Sequence, residues 1–278
     1  SDFIIGLSVI ALGTSFPEIF VGISSIVNNT EEIALGTIVG SNISNIALIF
    51  GVSLVGYSTA INPSSKRNFI ALGLSVLVAI YALSDLIISN FDSLMLLVVL
   101  TYFIYIMAIQ PNSDEIVVEQ NNSSYLNLSI FLIIGLLSIT IGSNYAVING
   151  EKIAFLIGIP KLIIGLTVLA IGTSLPELAV TISALMKQKN QMVLGNIIGS
   201  NVLNIAVVMP ILGLFSAKSF DPSIITRDMS VMTILSLIFV MIALSFNYKN
   251  IPINIYRLIG IILVSSYIIY IGILGGLL

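Results

Sequence analysis

Long apolar runs alternate with short polar breaks along the whole chain. A bilayer span needs roughly 20 apolar residues. On that criterion the pattern predicts nine helices, near 2–27, 33–57, 68–89, 93–109, 128–149, 161–186, 191–215, 229–246 and 253–275. The breaks are brief: NNTEE at 28–32, INPSSKR at 61–67, MKQKNQ at 186–191 and FNYKN at 246–250. One longer polar stretch, from Gln110 to Tyr125, separates two halves.

Composition explains the pattern. Hydrophobic residues make up 57% of the 278 positions and charged residues 8%, against about 25% charged in a soluble domain. Such a chain has lipid as its solvent. Cysteine and histidine are both absent, which excludes disulfides, thiolate zinc sites and histidine-based catalysis. With a net charge of −3 and ten scattered basic residues, a nucleic-acid surface is excluded as well. The first apolar run is full length and contains Pro17 and Glu18, unlike a cleavable signal peptide.

The halves repeat each other. IIGLSVIALGTSFPEIFVGIS at 4–24 matches IIGLTVLAIGTSLPELAVTIS at 163–183, and GTIVGSNISNI at 36–46 matches GNIIGSNVLNI at 195–205. Both pairs keep the same offset of 159 residues, so the chain carries an internal duplication. At that offset Ser1 aligns with Pro160, and the span near 128–149 has no counterpart in the first half. The expected architecture is therefore an all-α integral membrane protein of two five-helix repeats. Ten transmembrane helices are expected in the full protein, with the first missing here and nine present.

Residues 1–109 would form the first repeat, 110–127 a linker loop and 128–278 the second repeat. An odd number of helices per repeat inverts one repeat relative to the other in the membrane, the usual basis of alternating access. If the 60–67 loop is cytoplasmic, six basic residues fall inside and four outside, in keeping with the positive-inside tendency.

Each half interrupts a span with Gly-Thr-Ser-x-Pro-Glu, at Gly13–Glu18 and at Gly172–Glu177. Glycine loosens the helix there, and Pro17 and Pro176 remove a backbone donor. Glu18 and Glu177 are the decisive residues. A bare carboxylate in hydrocarbon costs several kcal/mol or takes a proton, and two brought together would repel. A cation between them removes both penalties; the bland alternative is a protonated glutamate bonded across a helix interface.

The hydroxyls of Thr14, Ser15, Thr173 and Ser174 lie within a turn of these carboxylates, either as ligands or as interhelical bonds. In the second motif Ser41 and Asn45, and likewise Ser200 and Asn204, share a helix face at i and i+4. Asn42 and Asn201 sit on an adjacent face. The Gly-x-x-x-Gly pairs, Gly36 with Gly40 and Gly195 with Gly199, suit close helix packing. Glu31, Asp85, Asp92, Asp221 and Asp228 read as solvated residues in or beside loops.

ALGTSFPE and AIGTSLPE, followed by GTIVGSNISNI and GNIIGSNVLNI, resemble the paired signatures of the sodium/calcium exchanger branch of the cation/calcium antiporter superfamily. The resemblance spans nearly the whole chain. It implies a multi-pass protein of a prokaryotic plasma membrane that exchanges Na⁺ for Ca²⁺ by alternating access, as a monomer, without a cofactor or catalytic residues. By that resemblance, Ca²⁺ is held by Glu18 and Glu177 with the carbonyls of Thr14 and Thr173. Na⁺ is held by Ser15, Ser174, Ser41, Ser200 and the carbonyls of Ala11 and Ala170, while Asn45 and Asn204 take the central position. Microbial relatives of this type often carry aspartate where this chain has Asn204, so the core keeps two formal negative charges instead of three. Calcium/proton exchange is the nearest alternative, followed by a cation channel and a non-transporting sensor.

Overall fold

The computed structural model describes residues 5–56, 66–109, 158–216, 218–246 and 251–276, with isolated helical positions between 129 and 156. Nine helices carry the description: α1 (Gly6–Thr14), α2 (Phe16–Val27), α3 (Glu31–Val55), α4 (Arg67–Ala82), α5 (Asn90–Ile109), α6 (Lys161–Met186), α7 (Asn190–Phe215), α8 (Ile224–Ser245) and α9 (Ile253–Leu274).

The nine expected spans are not what these residues form. Among the described residues six helices (α3, α5, α6, α7, α8 and α9) are long and apolar enough to cross a bilayer, or seven if α1 and α2 count as one bent span. The expected helix at 68–89 stops at Ala82 because the chain turns there. Leu86, at φ 66°, takes up the left-handed backbone that reverses it. The expected span at 128–149 lies largely outside the described residues.

Burial sorts the helices. In α3 and α7, 83% of the apolar window is buried, against 33% in α5 and 22% in α9. The first pair therefore forms the centre and the second the rim. Large apolar side chains such as Leu77, Val98, Ile234 and Ile268 face outward, as lipid requires. Inside, Phe239 of α8 packs edge-on against Phe50 of α3, with ring centroids 4.8 Å apart.

The centre is reciprocal. α3 packs on the first half of α6, while α7 packs on α1. A Cβ on Gly40 would sit 2.6 Å from the Leu166 carbonyl oxygen, and one on Gly199 would sit 2.5 Å from that of Leu7. Only glycine permits these approaches, so the Gly-x-x-x-Gly motifs serve as packing faces. Leu7 and Leu166 are themselves separated by 159 positions, as are Gly40 and Gly199. The contact made by one half is thus returned by the other.

Even the irregularities repeat. Wide π-helical turns occur at Gly6–Ile10 and Gly165–Leu169, and again at Asn45–Phe50 and Asn204–Val208. Insertions of this kind are frequent at functional sites. Both Gly-Thr-Ser-x-Pro-Glu motifs flatten the backbone at their serine, with ψ of 2° at Ser15 and −1° at Ser174. Pro17 and Pro176 follow in the first turn of the next helical segment. Each lacks the N–H that would have reached the carbonyl four residues earlier, of Gly13 or Gly172. In the first half this bends the span by 42° between α1 and α2.

Three acidic residues read as solvated are buried. Asp92 caps α5 by accepting from the Ser89 N–H (2.8 Å) and hydroxyl (2.6 Å), a reciprocal box with the Asp92 N–H donating to Ser89 Oγ. Asp228 is fully buried and takes a bidentate contact from Arg227 and a 2.8 Å hydrogen bond from Tyr270. Glu31 accepts from Ser216 and forms a 2.7 Å ion pair with Lys218. Charge placement alone did not reveal these partners, because they come from distant parts of the chain or from a close neighbour in sequence.

Candidate cation site

The flattened serines aim the start of the following helical segment inward, so each glutamate sits in a first turn at the crossing of the two motifs. Glu18 and Glu177 are each 1% exposed, and they lie within electrostatic reach of one another. Among the described residues, each is the one carboxylate that its half brings to the crossing. Among the described residues no group of three or more histidine, cysteine, aspartate or glutamate side chains comes together. Any cation held here therefore meets two carboxylates and otherwise neutral oxygens.

Hydroxyls surround them in a crossed pattern. Beside Glu18 lie Thr173, from the other half, and Ser41, from the neighbouring motif of its own half. Beside Glu177 lie Thr14, from the other half, and Ser200, from its own. Thr173 and Ser41 share a 3.1 Å hydrogen bond. Ser200 donates to Glu177 Oε1 at 3.2 Å, and Ser15 reaches the same oxygen across the halves at 3.5 Å. Ser174 is equally buried, and its hydroxyl takes no direct bond among the described residues.

The remaining expected residues fall in the same place. The Ala11 carbonyl accepts from the Ser15 N–H and the Thr14 hydroxyl, and the Ala170 carbonyl from their counterparts Ser174 and Thr173. Asn45 and Asn204 are fully buried on the face they share with Ser41 and Ser200. Asn45 donates to Asn201 Oδ1 at 3.1 Å, which ties the second motifs of the two halves together. Asn42 is the repeat counterpart of Asn201 and is buried to the same extent. All twelve expected residues are thus gathered in the protein's centre.

Buried polar atoms without partners cluster here. Both oxygens of Glu18, one of Glu177, the Ser174 hydroxyl and the amide groups of Asn42 and Asn204 take no direct hydrogen bond. Unsatisfied buried groups are costly and rare, and most of these atoms are oxygens. Hard cations of the alkali and alkaline-earth groups prefer oxygen ligands. The donor set therefore suits Na⁺ or Ca²⁺ and offers nothing to a softer metal.

Comparison with known proteins agrees with this chemistry. A family model described as sodium/calcium exchanger protein matches residues 1–109 and 127–276. The inner membrane protein YrbG of Escherichia coli is 32% identical over 98% of this chain and 86% of its own length. The sodium/calcium exchanger MaX1 of Methanosarcina acetivorans is 31% identical over 99% of this chain and 89% of its own. The solved sodium-calcium exchanger NCX_Mj, soaked with Na⁺ and Sr²⁺, superposes with a TM-score of 0.76 at 30% identity, over 98% of this chain and 86% of that one. With a family model spanning both halves, and an oxygen-lined, two-carboxylate centre to match, this multi-pass membrane protein belongs to the sodium/calcium exchanger family.

Proposed function

We propose that this antiporter exchanges Na⁺ for Ca²⁺ by alternating access, with the ions bound between Glu18 and Glu177. Two buried carboxylates, one from each half and ringed by hydroxyls of both, carry this reading. Ca²⁺ is assigned to both glutamates with the carbonyls of Thr14 and Thr173. Na⁺ is assigned to Ser15, Ser174, Ser41, Ser200 and the carbonyls of Ala11 and Ala170, and the central position to Asn45 and Asn204. Residues 1–109 and 128–278 serve as the two inverted repeats, joined by the linker 110–127. The working unit in this reading is a monomer.

Charge balance explains the obligatory exchange. Without a cation, two carboxylates repel and resist being closed off from water. One Ca²⁺ brings the site to neutrality, and three Na⁺ would offset both carboxylates and leave it at +1. If three Na⁺ replace one Ca²⁺, each cycle moves one net charge, worth about 2.3 kcal/mol per 100 mV. Calcium uptake into proteoliposomes tests the assignment. An outward Na⁺ gradient should drive uptake, and Glu18→Gln or Glu177→Gln should abolish it. Uptake driven equally well by a pH gradient without Na⁺ would select proton coupling instead.

A further inference from the structure

One turn away from Glu177 lies a second buried polar pair that the exchange site does not use. Ser200 of α7 bonds Glu177 of α6, and the chain reverses between the two helices at 187–189, where the Lys189 N–H returns to the Ala184 carbonyl. In that antiparallel register Thr181, four residues on from Glu177, and Asn196, four back from Ser200, fall at the same level of the two adjacent helices. A four-residue step along a helix is about 6 Å. Both side chains are fully buried. Thr181 Oγ1, Asn196 Oδ1 and Asn196 Nδ2 take no direct hydrogen bond among the described residues.

This is not how threonine is otherwise treated in the protein. Thr37, Thr101, Thr167 and Thr233 each donate to the carbonyl four residues earlier, at 2.6–2.9 Å. That bond is the ordinary way to hide a hydroxyl in a membrane helix, and Thr181 does not make it.

Nor does the first half have such a pair. The positions 159 residues earlier are Gly22 and Thr37. Val208 fills the space above Gly22, where a Cβ would lie 2.5 Å from its Cγ1. Thr37 turns its hydroxyl into its own helix at 2.8 Å. One side of the cage is therefore sealed by a methyl group against a glycine. The other is lined by polar atoms at the equivalent level.

We infer that Thr181 and Asn196 form an outer Na⁺ position, one helical turn from Glu177, on the route between the cage and the membrane face at the 187–189 turn. The inference rests on the sodium-coupled reading above. Two neutral oxygens suit a monovalent ion that keeps part of its water shell, and the amide Nδ2 can donate to that water. A divalent ion would need a carboxylate in this apolar setting, and the pair supplies none. Glu177, one turn away, supplies the attraction that draws the ion inward.

The test compares sodium and calcium arms in proteoliposomes. Thr181→Val and Asn196→Leu should raise the Na⁺ concentration for half-maximal Ca²⁺ exchange about five- to tenfold. The half-saturation of Ca²⁺/Ca²⁺ exchange should stay within about twofold. Thr181→Ser, which keeps the oxygen, should retain the wild-type Na⁺ dependence, and so should Thr37→Val in the first half. Should Asn196→Leu fail to fold, Thr181→Val alone decides. Unchanged Na⁺ dependence in Thr181→Val, or equal losses in both arms, overturns the outer position. Wild-type protein with no Na⁺-driven exchange at all overturns the sodium-coupled reading and this inference with it.

Discussion

The two halves of this protein share their motifs almost letter for letter, yet they do not share one conformation. Glu177 accepts hydroxyls from Ser200 and Ser15 on a single oxygen, whereas neither oxygen of Glu18 takes a direct bond. Asn45 bonds Asn201, while the mirrored amide of Asn204 has no such bond to Asn42. A turn beyond each glutamate, Gly22 of the first half packs against Val208 of the second, whereas the second half carries the unbonded Thr181 and Asn196. At the membrane surface, Glu31 is clamped by Lys218, and its counterpart 159 residues on is the uncharged Asn190. Duplicated sequence supplies two equivalent sets of buried oxygen groups. Unequal packing around them gives the two sides different seals, which is what a site open to one side at a time requires.

Removing the charge on either half tests that comparison most severely. Glu18→Gln and Glu177→Gln should each lower Na⁺-driven Ca²⁺ uptake at least a hundredfold, despite the different bonding of the two carboxylates. A variant retaining more than a tenth of the wild-type rate would make one half dispensable.

The first-half seal comes next. Gly22→Ala places a methyl group against Val208 and should slow exchange about tenfold, because small-to-large changes in a packed interface force neighbours apart. Val208→Ala in the same chain should restore most of the rate. Failure of that rescue would show that the Gly22 contact is not the constraint. Smaller again is the effect of the donors on Glu177. Ser200→Ala should raise the half-saturating Ca²⁺ or Na⁺ concentration several-fold, since a typical hydrogen bond contributes about 0.5–1.5 kcal/mol net. Ser41→Ala, whose hydroxyl bonds Thr173 instead, should do less. Equal effects would remove this difference between the halves.

The weakest perturbation is at the surface. Lys218→Ala releases a half-exposed lysine from Glu31 and should cost roughly 1 kcal/mol or less, a shift of a few degrees at most in thermal unfolding. Exchange should be unchanged within about twofold. A large loss of transport would instead make the clamp part of the gate.

How much of this could be read from sequence depends on the kind of interaction. Glu18, Glu177 and the hydroxyls beside them could be singled out because glycine, proline and carboxylate in apolar runs are conspicuous and the duplication marks them twice, while the carbonyls of Ala11 and Ala170 came only from the family resemblance. Helix ends were less legible. Hydropathy continues past Ala82 through Leu83 and up to Ile88, so the run near 68–89 reads as a span even though the backbone turns at Leu86. Partners distant in the chain were not legible at all. Nothing local distinguishes Asp228, buried under Tyr270, from Asp221, which stays at the surface bonded to the Ser223 N–H. The same holds for Thr181 and Asn196. Their importance lies in bonds they do not make, and only the packed helices reveal that.

Everything in this account converges on a cation held jointly by both halves. The most direct measurement is a crystal structure grown with excess Ca²⁺ and no Na⁺, with the ion located by its anomalous scattering. The account predicts one Ca²⁺ within about 2.3–2.6 Å of carboxylate oxygens from both Glu18 and Glu177. A Ca²⁺ bound by one glutamate alone, or seated elsewhere while both carboxylates stay unliganded, would contradict it.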